Sequence, residues 1–132
     1  MNSKTVVIKK LYFIIAVIFI VAGCKFQKPD HLKFITATEL NQIMQKEDLF
    51  LVDVHTPEQQ HIKGTDAFIP YNEIEKYQDK LPADKNTVIY LYCEAGPMGN
   101  AAARTLNELG YHNLFNLEGG TKAWRKNGFA FE

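Results

Sequence analysis

Cysteine is nearly absent from this chain: its 132 residues include two, Cys24 and Cys93. Two cysteines cannot build the disulfide framework that small secreted domains use in place of a large core. Net charge is absent as well. Fifteen basic residues cancel fifteen acidic ones, and a nucleic-acid binder normally carries a basic excess, so that class of partner is not expected. No apolar run reaches the ~20 residues of a membrane-spanning helix. The run Leu11 to Ala22 has twelve. No pair of histidines has metal-ligand spacing, so neither a metal nor another cofactor is expected. What is present is a globular composition, 46% hydrophobic, 12% aromatic and 23% charged, in a length that suits one domain.

The apolar run has the length of a signal-peptide core. Lys4, Lys9 and Lys10 precede it without an acid among them, which keeps that end cytoplasmic. It closes on Val21-Ala22-Gly23-Cys24, which resembles a bacterial lipobox, where the cysteine is lipidated and becomes the first residue of the mature protein. The polar residues after Cys24 read as a tether. The expected organisation is a lipoprotein signal peptide over 1–23, a tether over 24–32 and one domain over 33–132, held outside the cytoplasm on a membrane surface. Cleavage removes three lysines and no acid, so twelve basic residues then face fifteen acidic ones, a formal charge of −3. Cys93 becomes the one thiol left, and a lone cysteine in an exported domain is a candidate reactive group.

Beyond the tether, apolar spacing and punctuation alternate between two periods. Lys33-Phe34-Ile35 starts extended. Thr36 and Glu39 have the spacing of a capping box, and Leu40, Ile43 and Met44 share a face, which predicts a helix near 37–46. Leu49–Val52 suits a strand buried on both faces, closed by Asp53. Thr56-Pro57 predicts a further helical turn, with Gln59 completing a weak cap. Ala67–Ile69 is a short strand. Ile74, Tyr77 and Leu81 predict a helix over 71–80, stopped by Pro82. Thr87–Tyr92 is the strongest strand pattern in the chain. A helix over 100–109 follows, with Ala102, Ala103, Leu106 and Leu109 inward and Gly110 beyond its end. Leu114–Leu117 is a last strand, and Thr121–Lys126 a closing helix. The alternation predicts an α/β fold, a mainly parallel central sheet with helices on both faces. In such sheets ligands gather at the carboxyl ends of the strands.

Cys93 stands at one of those ends, followed by Glu94, Ala95, Gly96, Pro97, Met98 and Gly99. A strand, a cysteine, a glycine-bearing loop and a helix can together turn backbone N–H groups inward and add a positive helix end. Both favour a thiolate, or an anion beside it. A small hydrophobe at a strand end is the plainer reading of a free cysteine.

Four segments resemble the single-domain rhodaneses, a sulfurtransferase family, across nearly all of 33–128. Leu51-Val52-Asp53-Val54-His55-Thr56-Pro57-Glu58 resembles the family's D-V-R strand and turn. His61 to Pro70 resembles its H-I-x-G-A segment. Cys93 to Gly99 stands where the family has its cysteine loop, and Leu117-Glu118-Gly119-Gly120 with Trp124 resembles L-x-G-G-x-x-x-W. The resemblance implies that Cys93 takes the outer sulfur of a small donor as a persulfide and passes it to cyanide or a thiol. It gives Asp53 a role in tying loops together. The loop arginine of the family is Met98 here, its serine or threonine is Gly99, and the arginine of D-V-R is His55. Glu94 adds a negative charge beside the nucleophile. Arginine is the natural fork for an oxyanion, so weak use of thiosulfate is expected, and His55 is a candidate pH-dependent substitute. The Cys-x5-Arg signature of the related phosphatases is missing, because Gly99 fills its last position. His61 reads as a hydrogen-bonded structural residue and Arg104 as a solvated one. A monomer is expected. The alternative function is a non-catalytic binding module that keeps the fold.

Overall fold

The computed structural model describes residues 31–132. Cys24, the apolar run and the signal-peptide and anchor readings lie outside the described residues. Five short strands form one sheet: β1 (Leu32–Ile35), β2 (Phe50–Asp53), β3 (Ala67–Phe68), β4 (Ile89–Tyr92) and β5 (Leu114–Leu117). Their order across the sheet is β1-β5-β4-β2-β3, and every neighbouring pair is parallel. The helices are α1 (Ala37–Met44), α2 (Pro97–Glu108) and α3 (Gly120–Lys126), with a 3₁₀ segment over Ile74–Lys80. None of the described helices is long and apolar enough to cross a membrane.

Strand period explains why both faces are covered. Val52, Ile89, Leu91 and Leu114 pack on one side against Ala102, Ala103 and Leu106 of α2 and Ile74 of the 3₁₀ segment. Ile35, Leu51, Tyr90, Tyr92 and Leu117 pack on the other against Leu40 of α1 and Trp124 of α3. Strands buried on both sides have no polar face to show, hence their near-continuous apolar runs. The capping box of α1 is formed as expected: Thr36 Oγ1 accepts from Glu39 N–H at 3.3 Å, and Glu39 Oε2 accepts from Thr36 N–H at 3.0 Å.

Three local expectations are corrected. No helical turn forms at Thr56-Pro57. Gln59 does not cap one, because its amide turns to the Asp53 carboxylate, and the backbone of 54–61 wraps around that group. Instead of a regular helix over 71–80 the chain makes 3₁₀ turns at 74–80, with Tyr77 leaving helical angles at φ −114°, ψ 35°. The i, i+3 pair Ile74 and Tyr77 fits three residues per turn as well as 3.6. Helix α2 begins at Pro97 instead of Asn100, because proline suits the first helical position, where its missing N–H is no loss.

Candidate active site

Asp53 and Tyr92 are register partners at the carboxyl ends of β2 and β4, and Cys93 follows directly. The side chain of Cys93 is inside the protein, 1% exposed, in the core layer under α2. Its sulfur is nevertheless hydrogen-bonded: Gly96 N–H donates to Sγ at 3.0 Å. Gly96 makes that contact at φ +123°, where other residues are strained.

The opposite side of the loop is held by α3. Thr121 N–H donates to the Cys93 carbonyl at 2.9 Å, and Lys122 N–H to the Glu94 carbonyl at 3.1 Å. In a planar trans peptide the N–H points away from its carbonyl. The N–H groups of Glu94 and Ala95 are therefore turned away from α3, into the loop. Gly120 makes this approach possible, since a Cβ on it would overlap the Cys93 carbonyl oxygen and the Glu94 backbone.

The remaining loop residues fall into place around this frame. Pro97 has no N–H to contribute, so the loop offers fewer donors than 94–99 has residues. Met98 is half-buried against the layer that contains Cys93. Gly99 is buried beneath Asn116, whose amide occupies the space a Cβ would need. Glu94 and Ala95 face solvent, and Glu94 Oε1 lies 3.7 Å from Lys122 Nζ. That exposed pair offsets part of the negative charge that Glu94 brings to the loop, though exposed pairs are weak. Arg104 is exposed on α2. Among the described residues no cluster of His, Cys, Asp and Glu could hold a metal.

Asp53 is fully buried and does not touch the sulfur. Its carboxylate accepts from His55 N–H at 2.9 Å, from Gln59 Nε2 at 3.2 Å and from His61 Nδ1 at 2.9 Å. Gln59 Oε1 in turn accepts from Thr121 Oγ1 at 3.1 Å. The turn after β2 is thus joined to the start of α3, and through Thr121 to the cysteine loop. The His55 ring joins neither, and its Nδ1 is buried without a partner. Sequence reasoning gave Thr121 and Asn116 no role here, gave Gln59 only a cap, and gave Gly120 only its place in the L-x-G-G segment. A single asparagine inside the apolar strand Leu114–Leu117 was a readable signal; the others were not.

His61 also meets Glu58 Oε1 through Nε2, at 3.0 Å. Burial works against a charged ring, but the hydrogen bonds and charges of Asp53 and Glu58 outweigh it and raise its pKa above the usual 6.5. A raised folded pKa gives stability that is fully present below about 6.5 and is lost as pH rises through the folded value. Melting temperature is therefore expected to fall as pH rises above about 6.5, and His61→Gln to flatten that dependence. An unchanged slope in the variant would show that another group carries it.

The fold and the site together present a parallel α/β sheet with a cysteine at a strand's carboxyl end, its sulfur held by the Gly96 N–H. The chain belongs to the rhodanese-like domain family, whose pattern matches residues 36–127. It is 33% identical over 84 residues to a protein named sulfurtransferase from Allochromatium vinosum, covering 62% of this chain and 77% of that one. It is 34% identical over 71 residues to the thiosulfate sulfurtransferase PspE of Escherichia coli, covering 52% and 67%. A rhodanese-like domain protein of Staphylococcus aureus has the same fold, with a TM-score of 0.62, 28% identity and coverage of 70% and 90%. These relatives support sulfur transfer as the activity at the level of the family.

Proposed function

We propose that Cys93 carries sulfane sulfur as a persulfide. The Cys93 thiolate attacks the outer sulfur of a donor persulfide R–S–S⁻, the donor's S–S bond breaks, and R–S⁻ leaves as the Cys93 persulfide forms. An acceptor thiolate or cyanide then attacks that outer sulfur and returns the Cys93 thiolate. The hydrogen bond from Gly96 N–H to Sγ carries this reading, because donors fixed before reaction stabilise charge on sulfur without reorganising. The domain acts from a membrane surface, on a lipid at Cys24, a part of the reading supported by the V-A-G-C sequence. Purified protein treated with an organic persulfide gains the mass of one sulfur atom on the Cys93 peptide. Absence of that gain overturns the reading.

The donor carries little charge. Thiosulfate is a dianion, the loop has Met98 in place of an arginine, and Lys122 is engaged by Glu94. One missing charge-assisted hydrogen bond costs roughly 1.5–3 kcal/mol, or one to two powers of ten in binding. Steady-state kinetics are expected to favour an organic persulfide or polysulfide over thiosulfate. The double variant Glu94→Arg with Met98→Arg lowers the KM for thiosulfate. Equal use of both donors by the wild type, or no gain in the variant, would show that cations elsewhere hold the dianion.

A further inference from the structure

Three polar side chains are buried among the described residues: Asp53, Asn116 and Thr121. Two belong to the brace between the β2 turn and α3. Asn116 stands apart, on β5. It is 1% exposed, and its neighbours Leu114 and Leu117 are core residues. Its Nδ2 donates to the Gly96 carbonyl at 2.9 Å and to Asn100 Oδ1 at 2.8 Å. Its Oδ1 is buried with no partner. A leucine of nearly the same shape would fill this site and remove the orphaned Oδ1, though it would take the donor from Asn100 Oδ1, so the amide's bonds and not packing account for an asparagine.

The loop geometry accounts for it. Gly96 lies at φ +123°, ψ −41°, in a region where glycine alone is at ease and where nothing about its own side chain fixes it. Its N–H is the donor to Cys93 Sγ. Its carbonyl is held from two sides, by Asn116 Nδ2 and by Asn100 N–H at 3.2 Å. Gly99 completes the fit, because any Cβ there would collide with the Asn116 amide.

We infer that Asn116 is a positioning residue for Cys93: its amide clamps the Gly96 carbonyl so that the Gly96 N–H stays on the sulfur. The clamp acts on the thiol itself. Its consequence for sulfur transfer rests on the function proposed above.

The test is the pH profile of iodoacetamide alkylation of Cys93 in the full chain, followed on the Cys93 peptide by mass spectrometry. In Asn116→Leu the removal of the orphaned Oδ1 offsets the two lost hydrogen bonds, so the thermal melt stays cooperative and close to that of the wild type. The alkylation profile moves to higher pH, and the rate at neutral pH falls about tenfold, the lower end for weakening a hydrogen bond to an ionised group. A folded Asn116→Leu whose profile superposes on the wild type overturns the inference. If that variant does not fold, Asn116→Val decides in the same way, since it removes the donor and adds no charge beside the thiol. Sulfur uptake is measured separately. A wild type that takes no sulfur, with an alkylation profile that still depends on Asn116, overturns the sulfur-carrier reading and supports the clamp.

Discussion

Cys93→Ala is expected to take up no sulfur from any donor while losing only about 1 kcal/mol of stability, the range of a one-atom core truncation. The two effects part because the sulfur has two surroundings. On one side it packs in the layer under α2, at 1% exposure, and there it behaves as a small hydrophobe. On the other it accepts the Gly96 N–H. Alanine keeps most of the packing and removes the whole nucleophile. The burial also bears on reaction, because an incoming donor must reach a side chain that is 1% exposed. Mass spectrometry after donor treatment, together with urea unfolding of both proteins, measures the two effects. A loss of several kcal/mol would identify Cys93 as a structural residue.

Gly120→Ala is expected to cost about 3 kcal/mol or more and to distort the cysteine loop. Part of this is the backbone, at φ +54°, where an L side chain is strained by about 1–2 kcal/mol. The rest is collision. The new Cβ would meet the Glu94 carbonyl oxygen at 2.6 Å and overlap the Cys93 carbonyl, and backbone cannot turn aside as a flexible side chain does. Overpacking of this kind costs roughly 1–3 kcal/mol. Gly128→Ala is the control. It too has positive φ, +74°, but nothing lies within 4 Å of its Cβ, so only the strain remains. The melting temperature of Gly120→Ala should fall by more than about 10 °C, and that of Gly128→Ala by clearly less. Equal losses would mean that the approach of α3 to the loop is not tight.

The sheet and its layers were legible because each strand carries its own signal. Thr87–Tyr92 is β-branched and aromatic, and α1 announces itself by its capping box. Local pattern failed where a tertiary partner outbid it. Gln59 has the right spacing for a cap, yet Asp53 takes its amide from across the turn. Over 74–80 the pattern was ambiguous in itself, because the i, i+3 pair Ile74 and Tyr77 suits a 3₁₀ turn as well as an α-helix. The position of the cysteine at a strand end could be read from the order of elements. What surrounds it could not, because Thr121, Gly120 and Asn116 reach the loop from later in the chain, and no spacing encodes that they meet.

The place of β5 in the sheet sets an order of assembly. It is the last strand made, yet it lies between β1 and β4. Until it arrives, β1 has no strand beside it, and the sheet exists as two unconnected parts. Such non-local pairing forms late. The same late segment, residues 114–126, brings Asn116 to the Gly96 carbonyl and the amides of Thr121 and Lys122 to the loop carbonyls. A nascent or partly refolded chain therefore contains Cys93 as an ordinary thiol. The hydrogen bond from Gly96 to its sulfur and the contacts that hold the loop come into being only with the complete fold.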